Sequence, residues 1–169
     1  MAELVELVPM TSSEFIPYLE ELIPEYAAEH VRTGRFDPGV AETEARGEVG
    51  KLLPKGVDTP DQHLFIIVAK STGTRVGVIW LFLDSSRRPP QGFIYDLRIF
   101  PPYRRAGYGG AAMRSIESFA RSRGAGQIGL HVFGHNSTAI HLYERLGYLT
   151  TNRIMAKTFA EVAERSDGD

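Results

Sequence analysis

Apolar positions in the first third of the chain recur with the period of helices. Residues 3 to 8 read as a short strand, and Thr11-Ser12-Ser13-Glu14 then has the form of a capping box, whose hydroxyl and carboxylate satisfy free N–H groups at a helix start. Phe15, Leu19, Leu22 and Tyr26 follow at helical spacing. Pro17 and Pro24 fall beyond the first turn, where each lacks an N–H and crowds the carbonyl four residues back; the pattern predicts a kinked or broken helix. Asp37-Pro38 reads as the N-cap and first position of a second helix, with Ala41, Ala45, Val49 and Leu52 as its apolar stripe.

From Leu64 the texture becomes that of strands. Leu64 to Ala69, a Ser71-Thr72-Gly73-Thr74 turn and Arg75 to Leu83 read as an antiparallel hairpin. The loop Asp84 to Gly92 leads into a third strand, Phe93 to Phe100, stopped by Pro101-Pro102. Ala112, Ile116, Phe119 and Ala120 mark an amphipathic helix ending near Gly124. Gln127 to Phe133 predicts a further strand, Asn136 to Leu146 a helix closed by Gly147, and Tyr148 to Phe159 a strand pair or bent strand.

A chain of 169 residues fits one domain, expected over residues 1–160 with a frayed tail over 161–169. The absence of cysteine excludes disulfides, thiolate metal sites and a cysteine nucleophile. No basic segment leads into an apolar run at the start, so a cytoplasmic protein is expected, with neither a membrane nor a nucleic acid as partner. The net charge of −2 hides an asymmetry: residues 1–61 carry 13 acids and 5 bases, the remainder 8 acids and 14 bases. Such a split points to an anionic ligand met by the later part and a cationic one met by the front. Solvated helix faces would give the same count.

Between the third strand and the next helix stands Arg104-Arg105-Ala106-Gly107-Tyr108-Gly109-Gly110. Free N–H groups at a helix start make an anion site, and two guanidinium groups add charge-assisted contacts to phosphate. A tight turn without ligand is the plain alternative. A Walker A loop is excluded because no Gly-Lys-Ser/Thr ends the segment. A dinucleotide fingerprint is nominally matched by Gly107, Gly109 and Ala112, but the following strand lacks the acid that holds the ribose.

The same residues resemble the GNAT superfamily of acetyl-CoA-dependent N-acyltransferases. Leu97-Arg98-Ile99-Phe100-Pro101 precedes Arg104-x-x-Gly107-x-Gly109, and a second block holds Asn136, Ala139, Leu142, Tyr143, Leu146, Gly147 and Tyr148 at the family's separation. The resemblance covers roughly residues 93 to 150. It implies an α/β (mixed α+β) fold: a mixed, mostly antiparallel central sheet with two parallel splayed strands and helices on both faces. It implies acetyl-CoA as co-substrate, with no metal.

In that resemblance the pantetheine arm lies between the splayed strands, held by backbone groups around Leu97, Arg98 and Ile99. The pyrophosphate rests on Arg105, Ala106, Gly107, Tyr108, Gly109 and Gly110, with the Arg104 and Arg105 side chains screening its charge. Asn136, Ala139 and Tyr143, at i, i+3 and i+7, share the helix face that lines the channel. Tyr143 becomes the acid that protonates the leaving thiolate, while Asn136 as a plain N-cap and Tyr143 as a packing residue are the bland readings.

The implied reaction is direct attack of a primary amine, small-molecule or peptide, on the thioester. Asp96 is the first candidate for its base and His131, on the neighbouring strand, the second; a solvent-facing Asp96 is equally compatible with the alternation of the strand. Substrate choice is expected from the N-terminal helices and the Asp84 to Gly92 loop, and their acidity points to a cationic amine. A catalytically silent acyl-CoA-binding sensor is the alternative, and the sequence leaves a homodimer open. His131, His135 and His141 lack the spacing of helical zinc ligands.

Overall fold

The computed structural model describes residues 3–157 and residue 159; the tail expected over 161–169 lies outside them. One sheet holds five strands in chain order: β1 (Val5–Pro9), β2 (Gln62–Ala69), β3 (Thr74–Asp84), β4 (Gln91–Ile99) and β5 (Gln127–Leu130). The first three pairings are antiparallel and β4–β5 is parallel. Four helices complete the fold: α1 (Ser12–Arg32), α2 (Ala41–Leu52), α3 (Tyr108–Ser122) and α4 (Ser137–Arg145).

β2 and β3 are buried along most of their length because both faces of the sheet are covered. On one face, Leu64, Ile66, Val78 and Trp80 meet Tyr18, Leu22, Ile23 and Ala27 of α1 and Ala41, Ala45 and Val49 of α2. On the other, Phe65, Ile67, Ile79, Leu81 and Ile94 meet Ala112, Met113, Ile116 and Ala120 of α3. The mixed sheet with helices on both faces matches the expected fold.

Five local expectations differ. α1 is one continuous helix of 21 residues despite its prolines. Pro17 and Pro24 both sit on its exposed side, as do Ser13 and Glu20, so the carbonyls they leave without an N–H partner face solvent rather than the core. The buried face of α1 is also turned from the expected one, toward Tyr18, Leu22, Ile23, Ala27 and His30. α2 starts at Ala41 rather than after Asp37, because the Asp37 carboxylate closes a turn by accepting from the Gly39 N–H at 2.8 Å.

The strand expected over 127–133 ends at Leu130, and residues 149–157 contain no strand. A strand exists by pairing, and the outer edge of β5 has no partner strand among the described residues; Leu149, Ile154 and Met155 are exposed accordingly.

One irregularity positions the site. Against β3, β4 runs Ile79↔Leu97 and Trp80↔Asp96, then slips so that Leu81 faces Ile94, leaving Tyr95 as a bulge. The parallel ladder to β5 ends at the same place, on Ile94↔Leu130. Beyond it β4 continues to Ile99 with one edge open, which is the expected splay.

Candidate active site

Along the open stretch of β4, backbone groups alternate between β3 and the free edge. Phe100 N–H donates to Val76 on the β3 side at 2.9 Å, while the Ile99 carbonyl accepts from Arg104 Nε at 3.0 Å. The groups of Ile99, and of Leu97 two residues earlier, therefore face the gap. Arg104 folds back onto the end of β4, its Nε donating to the Ile99 carbonyl.

The loop reverses the chain through two left-handed residues, Arg105 at φ 65° and Gly107 at φ 83°. Gly107 is the N-cap of α3, and its carbonyl accepts the Ala111 N–H. Among the described residues, no backbone carbonyl takes the N–H groups of Arg105, Ala106 and Gly107 or of Tyr108, Gly109 and Gly110 in the first turn. Those six donors stand at the positive end of a 15-residue helix, the position at which the sequence reading expects an anion. A Cβ on Gly109 would stand 3.4 Å from Leu142 of α4 and 3.7 Å from Ile99, so the loop, β4 and α4 converge there.

Past the bulge, Asp96 and Arg98 share the face of Val78 and Trp80, and so point toward α1. The solvent-facing reading of Asp96 does not hold: its side chain is 15% exposed. Tyr18 of α1 donates its hydroxyl to Asp96 Oδ2 at 3.1 Å. Arg98 is 9% exposed, and its guanidinium reaches Glu21 at 2.9 Å, Glu25 at 3.2 Å and Asp96 at 3.7 Å. Burial raises the Asp96 carboxyl above the usual range, opposed by the Arg98 charge and the Tyr18 hydrogen bond.

Tyr143, from α4, is half-buried and packs against Tyr148 with ring centroids 5.9 Å apart. Burial, with the charge of Asp96 second, pushes its phenol up to about 12. It is therefore protonated at neutral pH and close enough to Asp96 to feel it. Asn136 is the N-cap, accepting the Ala139 N–H at 3.1 Å, while Ala139, Ile140, Leu142 and Tyr143 are the half-buried positions of that helix. His131 lies beyond the end of β5 rather than on a strand; it is exposed and packs edge-on to Phe133. The same Phe133 ring packs edge-on to His30 of α1 at 5.7 Å, which places His131 on that side. Among the described residues no group of His, Asp and Glu is arranged to hold a metal.

The family model described as Acetyltransferase (GNAT) family matches residues 20–148. The chain belongs to the GNAT family. It is similar to the uncharacterized N-acetyltransferase YycN of Bacillus subtilis (strain 168), 35% identical over 153 residues that span 90% of this chain and 97% of the relative. YdgE, an uncharacterized N-acetyltransferase of the same organism, is 30% identical over 89% of this chain and 96% of its own. The crystal structure of YycN, a putative acetyltransferase, superposes with a TM-score of 0.87 over 93% of this chain and 99% of that one. As a GNAT protein the chain is an acyltransferase, and acetyl-CoA is the co-substrate that this family uses.

Three residues of this GNAT site were absent from the sequence reading: Tyr18, Glu21 and Glu25, which meet Asp96 and Arg98. Their spacing of i, i+3 and i+7 is a face of α1, the one available signal. No helix among the described residues is long and apolar enough to cross a membrane.

Proposed function

We propose that this GNAT acetyltransferase moves an acetyl group from acetyl-CoA to a primary amine by direct attack in a ternary complex. The observation that carries the reading is a buried carboxylate, Asp96, on the open stretch of β4, with a protonated phenol, Tyr143, near enough to feel its charge. A primary amine is mostly protonated at neutral pH and must lose a proton to attack; Asp96 takes it. The nitrogen then adds to the thioester carbonyl, and collapse forms the amide and breaks the C–S bond; the second proton shed by the nitrogen ends on the sulfur, which leaves as the thiol, and Asp96 returns its proton to solvent. Tyr143 hydrogen-bonds the departing sulfur as its charge grows.

Acetyl-CoA fits the residues present. The six unpaired N–H groups from Arg105 to Gly110 suit a pyrophosphate, with the Arg105 guanidinium beside them and Arg104 acting through its anchor on β4. The free-edge N–H and C=O of Leu97 and the N–H of Ile99 suit the pantetheine amides, and a donor aimed at the developing oxyanion is worth about 3 kcal/mol. Arg98 stands between them with its own backbone groups turned to β3 and its side chain toward α1. Ala139 and Tyr143 line the channel, and Asn136 starts their helix.

A cationic amine fits the front of the molecule: Glu21 and Glu25 are each more than 60% exposed and stand one turn apart on α1 beside the cleft. Arg98 neutralises part of that charge, which limits the attraction. A homodimer is compatible with this reading, and sedimentation at assay concentration measures it.

The test is thiol release from acetyl-CoA against a panel of amines. Acceleration by primary amines is expected, with polycationic ones favoured at low salt and the preference fading as salt rises. CoA binding without acceleration by any amine overturns the enzyme reading in favour of a silent acyl-CoA sensor. Gly109→Val, which fills the phosphate approach and presses on Leu142, is expected to weaken CoA binding about tenfold or more, read by calorimetric titration. Unchanged affinity would sink the loop assignment.

A further inference from the structure

We infer that Tyr18 is a positioning residue for Asp96: from helix α1, its hydroxyl orients the carboxylate and favours the charged form that accepts a proton. This rests on the reading of Asp96 as the amine's base and adds the group that prepares it. A carboxyl group removed from water turns neutral unless other groups compensate. The groups that bear on Asp96 are Arg98 and the Leu97 N–H on its own strand, Tyr18 and Glu25 from α1, and Tyr143 from α4, which feels its charge.

Glu25, a like charge, works against ionisation. Arg98 works for it, but its hydrogen bond goes to Glu21 and its Nη2 lies nearer Glu25, at 3.2 Å, than Asp96, at 3.7 Å. One guanidinium is thus shared among three carboxylates, and none of its hydrogen bonds reaches Asp96. Tyr18 is the one side chain among the described residues that hydrogen-bonds Asp96, and Asp96 is the one partner of the Tyr18 hydroxyl.

The geometry explains why a tyrosine stands there. Its ring belongs to the apolar cluster of Leu22, Ile23, Val78 and Trp80, a role that phenylalanine would fill as well. The hydroxyl is an addition that packing does not call for, and a buried phenol requires a partner. Its ordering effect also spans the fold, because the bond joins residues 78 positions apart and fastens α1 over the strand that carries the acid.

The experiment compares the pH dependence of kcat/KM for wild type, Tyr18→Phe and Asp96→Asn. In the wild type, activity depends on ionised Asp96 and falls as pH drops through its pKa, which gives an acid limb. A hydrogen bond to a charged acceptor favours that form, so Tyr18→Phe is expected to move the limb upward by about one pH unit. The unfolding midpoint of each variant, measured alongside, separates a moved limb from a loss of fold.

A limb unmoved in Tyr18→Phe, while Asp96→Asn abolishes it, overturns the inference and leaves the reading of Asp96 intact. A limb that survives in Asp96→Asn overturns that reading and the inference with it. Incorporation of 3-fluorotyrosine at position 18, a stronger donor of nearly the same shape, moves the limb downward. A role confined to packing would leave it in place.

Discussion

Tyr143→Phe is expected to lower kcat about a hundredfold while leaving CoA affinity unchanged, measured as thiol release in single turnover beside direct titration of CoA. General acids contribute about 10²–10⁴ in rate, and the lower figure applies here for a reason in the structure. Burial and the neighbouring Asp96 push this phenol to about 12, whereas a free thiol of the cysteine type titrates near 8.5. A proton held that tightly does not pass completely to a thiolate in water. What Tyr143 supplies is a hydrogen bond that strengthens as negative charge grows on sulfur. Because the phenol remains protonated to about pH 11, no alkaline limb from Tyr143 is expected below that pH. A Phe variant with wild-type kcat would remove Tyr143 from the chemistry.

The second large effect is on stability. Gly77 pairs with Ile99, and a Cβ there would lie 2.2 Å from the Arg98 carbonyl oxygen and 3.1 Å from the Ile99 Cα. Those atoms are backbone, so no side-chain rotation relieves the clash and the end of β4 must move. Gly77→Ala is expected to cost about 3 kcal/mol, at the upper end of overpacking, and to lower the unfolding midpoint by about 10 °C. CoA affinity falls with it, since Leu97 and Ile99 ride on the displaced strand. Gly50→Ala, in an exposed position of α2 with nothing within 4 Å of the added carbon, is the control and is expected to stabilise slightly. Equal midpoints for the two variants would show that the pairing of β3 with β4 tolerates the shift.

What the sequence displays well is local. The hairpin of β2 and β3, the ends of α3 and α4 at Gly124 and Gly147, and the glycine loop each depend on residues within a few positions of one another. The cradle could be read because turn, glycines and helix start are contiguous. The surroundings of Asp96 could not. Tyr18 and Glu21 lie 78 and 77 residues from Asp96 and Arg98, and Glu21 on its own looks like any solvated glutamate. Their partnership exists because the sheet carries β4 beneath α1. Arg98 was expected for its backbone alone, since nothing in Leu97-Arg98-Ile99 states which face the side chain takes. The failed strands after Tyr148 show the complementary limit: apolar composition proposes a strand, but pairing decides it.

The bulge at Tyr95 separates identity from length along β4. Ile94 lies on the α3 side of the sheet, and so do Leu97 and Ile99, an odd step that a regular strand cannot make. The bulge absorbs one surplus residue. A regular pairing that kept every residue would, from Asp96 onward, turn acid and guanidinium into the apolar layer over α3 and leucine and isoleucine toward Tyr18. Loss of Tyr95, by contrast, would leave Ile94 facing Leu81 and Asp96 facing Trp80, as they already do. Descendants of this chain can therefore vary or lose what stands at the bulge, whereas a residue gained beside it has to be absorbed by a larger one or exchanges the chemical and structural faces of the strand.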